Sequence, residues 1–282
     1  MTTTSALEAR TVAGLEVLHR PGSGPTVVAL PGLGSSGWAW EALAETLPDI
    51  DLYAVSLRGR GGSHAVAGTG GLTAHAQDVA AVVAELDLHD VVVIGHSMGA
   101  YLAPVVAQQL PDRVKHLVLV DGGIRPHFPL FMGPALTRLT FRTQLRKASG
   151  TFTDVEQLMK KGRVGPMLAD RPDLRPLIVR MLDRELGGVP GARVVRTNVD
   201  RCVEDAVDTF HGSAVEPALA ALAVPAYVFL AENMKKAGQR PFINEAVTAA
   251  AEARQPLLKV ERLKGNHVTV VFAPEVAQAV LA

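Results

Sequence analysis

The sequence is short of cysteine, of aromatic side chains, of net charge and of long apolar runs, and each shortage removes a class of answers. Cys202 is the only cysteine in 282 residues. No disulfide can form within the chain, and a lone thiol fits a reducing compartment. Aromatics make up 5% of the chain against 48% hydrophobic residues overall, so the core must be built from Ala, Val and Leu. That composition suits layered α/β packing. Twenty-eight Lys and Arg balance 28 Asp and Glu, which argues against a broad basic face for gripping nucleic acid. No run of eighteen apolar residues occurs, so no spanning helix is expected. Met1 to Arg20 lack a basic patch followed by an apolar stretch, so no secretory signal is visible. The expectation is a cytoplasmic protein whose partner is a small molecule.

What is present is a rhythm of short apolar runs alternating with helical patterns, the mark of a parallel sheet with crossover helices. Ala6–Ala9 and Leu15–His19 flank Ala13-Gly14 as an opening hairpin. Strands are expected at Thr26–Leu30, Leu52–Leu57, Val91–Ile94, Leu117–Val120, Ala226–Leu230 and Leu258–Leu263. Val91–Ile94 is four β-branched residues in a row, as in a strand buried on both faces. Helices are expected over Trp38–Thr46, from a Thr73 cap to Leu86, over Met98–Leu110, and after Pro274. Between 124 and 223 strand signals vanish and prolines recur. These residues are expected to form a mostly helical insertion, with core segments 1–123 and 224–282 on either side. From Arg125 to Arg201, fifteen Lys or Arg stand against seven Asp or Glu. Such a stretch is either a solvated surface or an attractor of anions.

The decisive segment is Gly95-His96-Ser97-Met98-Gly99, a G-x-S-x-G between a strand and a helix. So tight a turn holds its central residue in a strained conformation, and side chains two positions away would collide. It lifts the Ser97 hydroxyl clear of the sheet, above a helix N-terminus that favours negative charge. A serine hydroxyl needs a base. Of nine histidines, His267 follows the last strand in Lys264-Gly265-Asn266-His267, where a loop can reach back over the sheet's edge. Histidine last is the order expected for such a triad. An oxyanion hole would come from the Met98 N–H and the Leu33 N–H, the latter in Pro31-Gly32-Leu33-Gly34. That loop lacks the ending of a P-loop and the glycine spacing of a dinucleotide site.

In four ordered motifs the sequence resembles the α/β-hydrolase superfamily over nearly its whole length. Pro31-Gly32-Leu33-Gly34 is similar to the family's oxyanion loop, with proline for the usual leading histidine. Arg58-Gly59-Arg60-Gly61-Gly62-Ser63 matches its R-G-x-G-x-S loop, with Ser56 where an aspartate usually precedes it. Gly95–Gly99 resembles the elbow, and His267 with Pro274-Glu275 the histidine loop and final helix. The resemblance implies an α/β fold: a mostly parallel eight-stranded sheet flanked by helices, with an inserted helical cap.

The family's triad acid usually follows the strand leading out of the cap, but Met234 occupies that position. Asp121, at the end of the strand after the elbow helix, is the first choice, because some α/β-hydrolases place their acid there. Glu232 is the alternative. The implied activity is cleavage of a carboxylic ester through an acyl-enzyme, with no metal or organic cofactor. Thioester, lactone or C–C bond hydrolysis and cofactor-free haloperoxidase chemistry use the same triad, and a retired scaffold that only binds a ligand is the non-enzymatic alternative. Haloalkane dehalogenases and epoxide hydrolases carry aspartate where Ser97 stands. Trp38, Phe128, Phe131 and Met132 are the candidates for contacting a hydrophobic substrate, and Trp40 beside Trp38 either lines the same pocket or anchors its helix. Leu130, Leu136, Leu139 and Phe141 extend the same apolar wall.

Overall fold

A computed structural model of the chain describes residues 7–126, 133–162, 164–233, 241 and 243–282. The opening hairpin pairs β1 (Glu8–Val12) with β2 (Leu15–Arg20) around Ala13-Gly14. Strand β3 (Thr26–Leu30) leads into a 3-10 turn over Gly37–Trp40 and helix α1 (Glu41–Thr46), so the expected single helix is broken in two. Then follow β4 (Asp51–Val55), α2 (Leu72–Glu85), β5 (Val91–His96), α3 (Met98–Gln109) and β6 (Val114–Val120). Helix α2 begins after Gly71, not at a Thr73 cap. Its first free N–H groups are satisfied from a distance: Leu72 N–H donates to Asp208 at 2.6 Å and Gly71 N–H to Asp205 at 2.6 Å.

After β6 the chain leaves the main sheet. It forms α4 (Pro134–Lys147), the short strand β7 (Thr151–Phe152), α5 (Val155–Gly162), α6 (Arg175–Glu185), β8 (Leu186–Val189), β9 (Ala192–Val195), α7 (Val199–His211) and α8 (Val215–Ala220). The expectation of a helical segment missed its small antiparallel sheet, ordered β7-β9-β8. The signal was the turn Pro190-Gly191 between β8 and β9, where Gly191 takes a φ of 84°. The main sheet resumes with β10 (Ala226–Asn233), α9 (Glu245–Arg254) and β11 (Leu258–Asn266), and α10 (Pro274–Leu281) follows.

The eight-stranded sheet runs β1-β2-β4-β3-β5-β6-β10-β11, antiparallel for its first three strands and parallel thereafter. Alternate residues of β5 serve opposite cores: Val91 and Val93 pack with α2 and α3, Val92 and Ile94 with α1 and α10. Burial on both faces is why this strand reads as an unbroken apolar run. A third cluster joins Ile178 and Met181 of α6 to Ala42 of the core, with Val268 and Phe272 beside it. Among the described residues no helix is long and apolar enough to cross a membrane.

Candidate active site

Strands β5, β6 and β11 all end on the same side of the sheet, and the strand order reverses between β3 and β5, where open sheets of this kind leave a crevice. The turn from β5 into α3 puts Ser97 at φ 54°, ψ −118°. A Cβ on Gly95 would lie 2.1 Å from the Gly99 carbonyl oxygen, and one on Gly99 would lie 2.1 Å from the Leu30 oxygen. No flexible side chain could yield at either contact, so both positions require glycine.

His267 arrives from the far edge of the sheet. Its Nε2 is 3.1 Å from Ser97 Oγ, across 170 positions of sequence, and its Nδ1 is 2.5 Å from Asp121 Oδ2. A carboxylate can only accept, so Nδ1 carries the proton and Nε2 presents its lone pair to the hydroxyl. Asn266 braces this loop: its Oδ1 accepts the Val268 N–H at 3.0 Å and its Nδ2 donates to the Met167 oxygen at 2.8 Å.

Asp121 sits at φ 46° and is tied to β10 twice. Its N–H donates to the Phe229 oxygen at 2.7 Å, and its Oδ1 accepts the Ala231 N–H at 2.9 Å. Burial opposes the charged carboxylate, but the His267 ring and the Ala231 N–H outweigh it and hold Asp121 below the usual carboxylate range. Glu232, the alternative acid, is an exposed residue of β10. The structure brings together Ser97, His267 and Asp121 and leaves Glu232 at the surface.

His96 is turned beneath the pair. Its Nε2–H donates to the His267 carbonyl at 2.8 Å, and the two rings stand 4.8 Å apart. Burial and the neighbouring His267 lower it to about 4, so it is neutral at ordinary pH. The oxyanion loop lies against the nucleophile, since a Cβ on Gly32 would be 3.4 Å from Ser97 Cβ. The Met98 N–H stands at the first position of α3, where helix geometry provides no partner. Neither it nor the Leu33 N–H has a backbone partner among the described residues.

Sequence reasoning missed the group that braces both of these residues. The guanidinium of Arg60 is wholly buried, and its Nη2 lies 3.4 Å from the Leu33 oxygen, 3.5 Å from the Met98 sulfur and 2.6 Å from Asp205 Oδ2 of α7. The other oxygen of Asp205 holds His75 Nε2 at 3.0 Å. Nothing local in Arg60 or Asp205 shows that they meet. Ser56, which departs from the resemblance, is also buried and bonded: it donates to Glu16 at 2.6 Å and accepts the Gly37 N–H at 3.0 Å.

A cavity of about 170 Å³ is walled by Gly32 and His96, which flank Ser97 in the oxyanion loop and the elbow, and by Ile178, Met181, Leu182 and Glu185 of α6; Ser97 itself is not among its lining residues. Val268 and Phe272 complete the apolar wall. Spacings of three and four residues put the α6 group on one helix face, a signal present in the sequence and not drawn from it. Trp40 lines the cavity, whereas the expected Trp38 does not, its ring lying 4.9 Å beneath the Arg184 guanidinium. Phe128, Leu130, Phe131 and Met132 lie outside the described residues, as does Met234. Leu136 and Leu139 are exposed, and Phe141 packs on Phe210 at 5.6 Å between centroids. Several arginines of the basic stretch are engaged in ion pairs: Arg142 with Asp200, Arg175 with Glu156, Arg180 with Glu41 and Glu45, Arg193 with Asp183.

The profile of the alpha/beta hydrolase fold family matches residues 25–154. Two strains of Mycobacterium tuberculosis and one of Mycobacterium bovis carry uncharacterized proteins 31% identical over 119 residues, 42% of this chain. The match spans about a third (35%) of the length of those relatives. Lipase LipV of Mycobacterium tuberculosis is 34% identical over 159 residues, which cover 51% of this chain and 58% of the lipase. Among solved structures, E-2-(acetamidomethylene)succinate hydrolase superposes with a TM-score of 0.77 at 22% identity, covering 97% of both chains.

Proposed function

We propose that this chain, a member of the α/β-hydrolase superfamily, is a serine hydrolase that cleaves a small carboxylic ester or a similar acyl compound through Ser97, His267 and Asp121. The observation that carries the proposal is the unbroken line from Ser97 Oγ through both ring nitrogens of His267 to Asp121. The names of a lipase and a hydrolase among the similar proteins support the same class of chemistry.

In the first half-reaction His267 Nε2 takes the Ser97 proton as Oγ bonds to the substrate carbonyl carbon. The carbonyl oxygen becomes an oxyanion that the Leu33 and Met98 N–H groups hold, each contributing roughly 3–4 kcal/mol in the transition state. Asp121 keeps the proton of Nδ1 in place and stabilises the imidazolium without taking that proton. As the tetrahedral intermediate collapses, Nε2–H protonates the departing alcohol. Water then attacks the acyl-enzyme, gives its proton to Nε2, and the same donors hold the second oxyanion until the acid leaves and Ser97 is regenerated. Residues 124–223 act as a cap in this scheme, α6 supplying one wall of the acyl pocket. The lone buried Cys202 is consistent with work in the cytoplasm.

A fluorophosphonate probe tests the proposal. Stoichiometric labelling of the wild type that is lost in Ser97→Ala is the expected result. A folded wild type that neither takes the label nor turns over any p-nitrophenyl ester would return the protein to the ligand-binding class.

A further inference from the structure

The ionisable side chain of the cavity is in an unexpected place. Glu185 occupies the last turn of α6, on the face that carries Ile178, Met181 and Leu182, and only 8% of it is exposed. Among the described residues lining the cavity no Lys or Arg faces it. His96, the other titratable group there, has its Nε2–H bound to the His267 carbonyl and supplies no positive charge. We infer that Glu185 sorts substrates by charge, so that the site takes acyl groups that are neutral or end in a cationic donor and turns away those that carry a second carboxylate. The inference rests on the proposal that Ser97 is the nucleophile.

The carboxyl has one firm partner, the Ser36 N–H at 2.7 Å to Oε1. A neutral amide could satisfy that donor equally well, so the bond does not account for an acid at this position. Burial pushes Glu185 up to about 7 against the pull of its hydrogen bonds to Ser36, with Glu16 of β2 adding to the rise and Arg196 after β9 opposing it. At pH 8 the group is mostly a carboxylate in apolar surroundings. Two like charges about 6 Å apart at an effective dielectric near 20 repel by roughly 3 kcal/mol, but Glu185 can take a proton at pH 8 for about 1.4 kcal/mol, so binding is disfavoured by about tenfold. An ammonium in the same place gains from the interaction.

The test compares p-nitrophenyl hexanoate, mono-p-nitrophenyl adipate and p-nitrophenyl 6-aminohexanoate, chains of one length that differ in their ends. In the wild type at pH 8 the adipate is expected to fall about tenfold below the hexanoate in kcat/KM, with the aminohexanoate well above the adipate. Glu185→Gln keeps an acceptor for Ser36 and is expected to raise the adipate-to-hexanoate ratio about tenfold. Lowering the pH from 8 to 6 in the wild type is expected to narrow the same ratio, which gives a readout that needs no variant. Equal handling of adipate and hexanoate by the wild type, or a ratio that neither Glu185→Gln nor pH moves, overturns the inference. Failure of the underlying proposal looks different: no ester is turned over and Ser97 takes no fluorophosphonate.

Discussion

Asp121 offers its two oxygens to different partners, and an asparagine at this position could divide them in one way only. The Ala231 N–H is a fixed donor of β10 that points at Oδ1 from 2.9 Å in a buried setting. In Asp121→Asn the new amide must turn its oxygen to that donor, because NH₂ facing N–H would leave two buried donors opposed. The NH₂ then faces His267 Nδ1, which has to accept, and the imidazole proton moves to Nε2, opposite Ser97 Oγ. A base already protonated at the reacting nitrogen cannot take the serine proton. The expected loss in kcat is about 10³–10⁴-fold, or roughly 4–5.5 kcal/mol of barrier. Stability is expected to survive, since asparagine tolerates the positive φ of 46°. Asp121→Ala strands the Ala231 N–H as well, and is expected to lose about 1–3 kcal/mol of stability besides its activity. The assay is kcat on p-nitrophenyl acetate beside a thermal melt, with Glu232→Gln as the exposed control that keeps wild-type turnover. If Asp121→Asn keeps more than a tenth of the activity, or Glu232→Gln loses as much, the assignment of the acid is wrong.

Three further outcomes are expected. Gly95→Ala and Gly99→Ala drive a Cβ to 2.1 Å from a carbonyl oxygen and are expected to cost at least ~4 kcal/mol; a soluble Gly99→Ala with an unchanged melting temperature would contradict this. Arg60→Met takes the guanidinium away from the buried Asp205 carboxylate, which keeps only His75 and the Gly71 N–H, and is expected to cost about 3–5 kcal/mol in a denaturant titration; an unchanged midpoint would contradict this. The folded Glu185 carboxyl titrates near 7, above its ordinary 4.5, so the stability tied to its protonated form is complete below about pH 4.5 and lost as pH rises through 7. Glu185→Gln is therefore expected to gain on the wild type by about 3 kcal/mol at pH 9 and by little at pH 4; parallel stability curves for the two proteins would refute it.

The eight strands of the main sheet and the elbow were legible in the sequence because their causes are local. Val91–Ile94 is apolar on consecutive residues since both faces of β5 are covered. Gly95 must be glycine for its contact with the Gly99 carbonyl within the turn, whereas Gly99 must be glycine because β3 brings the Leu30 carbonyl against it. The resemblance pointed to His267 by its order in the chain, and its loop follows β11 as expected. The insertion was less legible. Its hairpin is only four residues a side, too short for a period of two to stand out between prolines and arginines.

Which carboxylate faces His267 was beyond any local pattern. Asp121 and Glu232 both follow or end a parallel strand, and the choice between them depends on strand order and on β10 donating its Ala231 N–H to one of them. The same holds for Arg60 meeting Asp205 across 145 positions, for Trp40 instead of Trp38 facing the cavity, and for Glu185 reaching Ser36 from α6. Backbone sterics and side-chain periodicity act over a few residues, so the elements, the strained turn and the chemistry of the nucleophile are written in the chain. A shared proton or a shared pocket is not, because hydrogen bonds form within about 3 Å and sheet register and helix packing alone bring such distant groups that close.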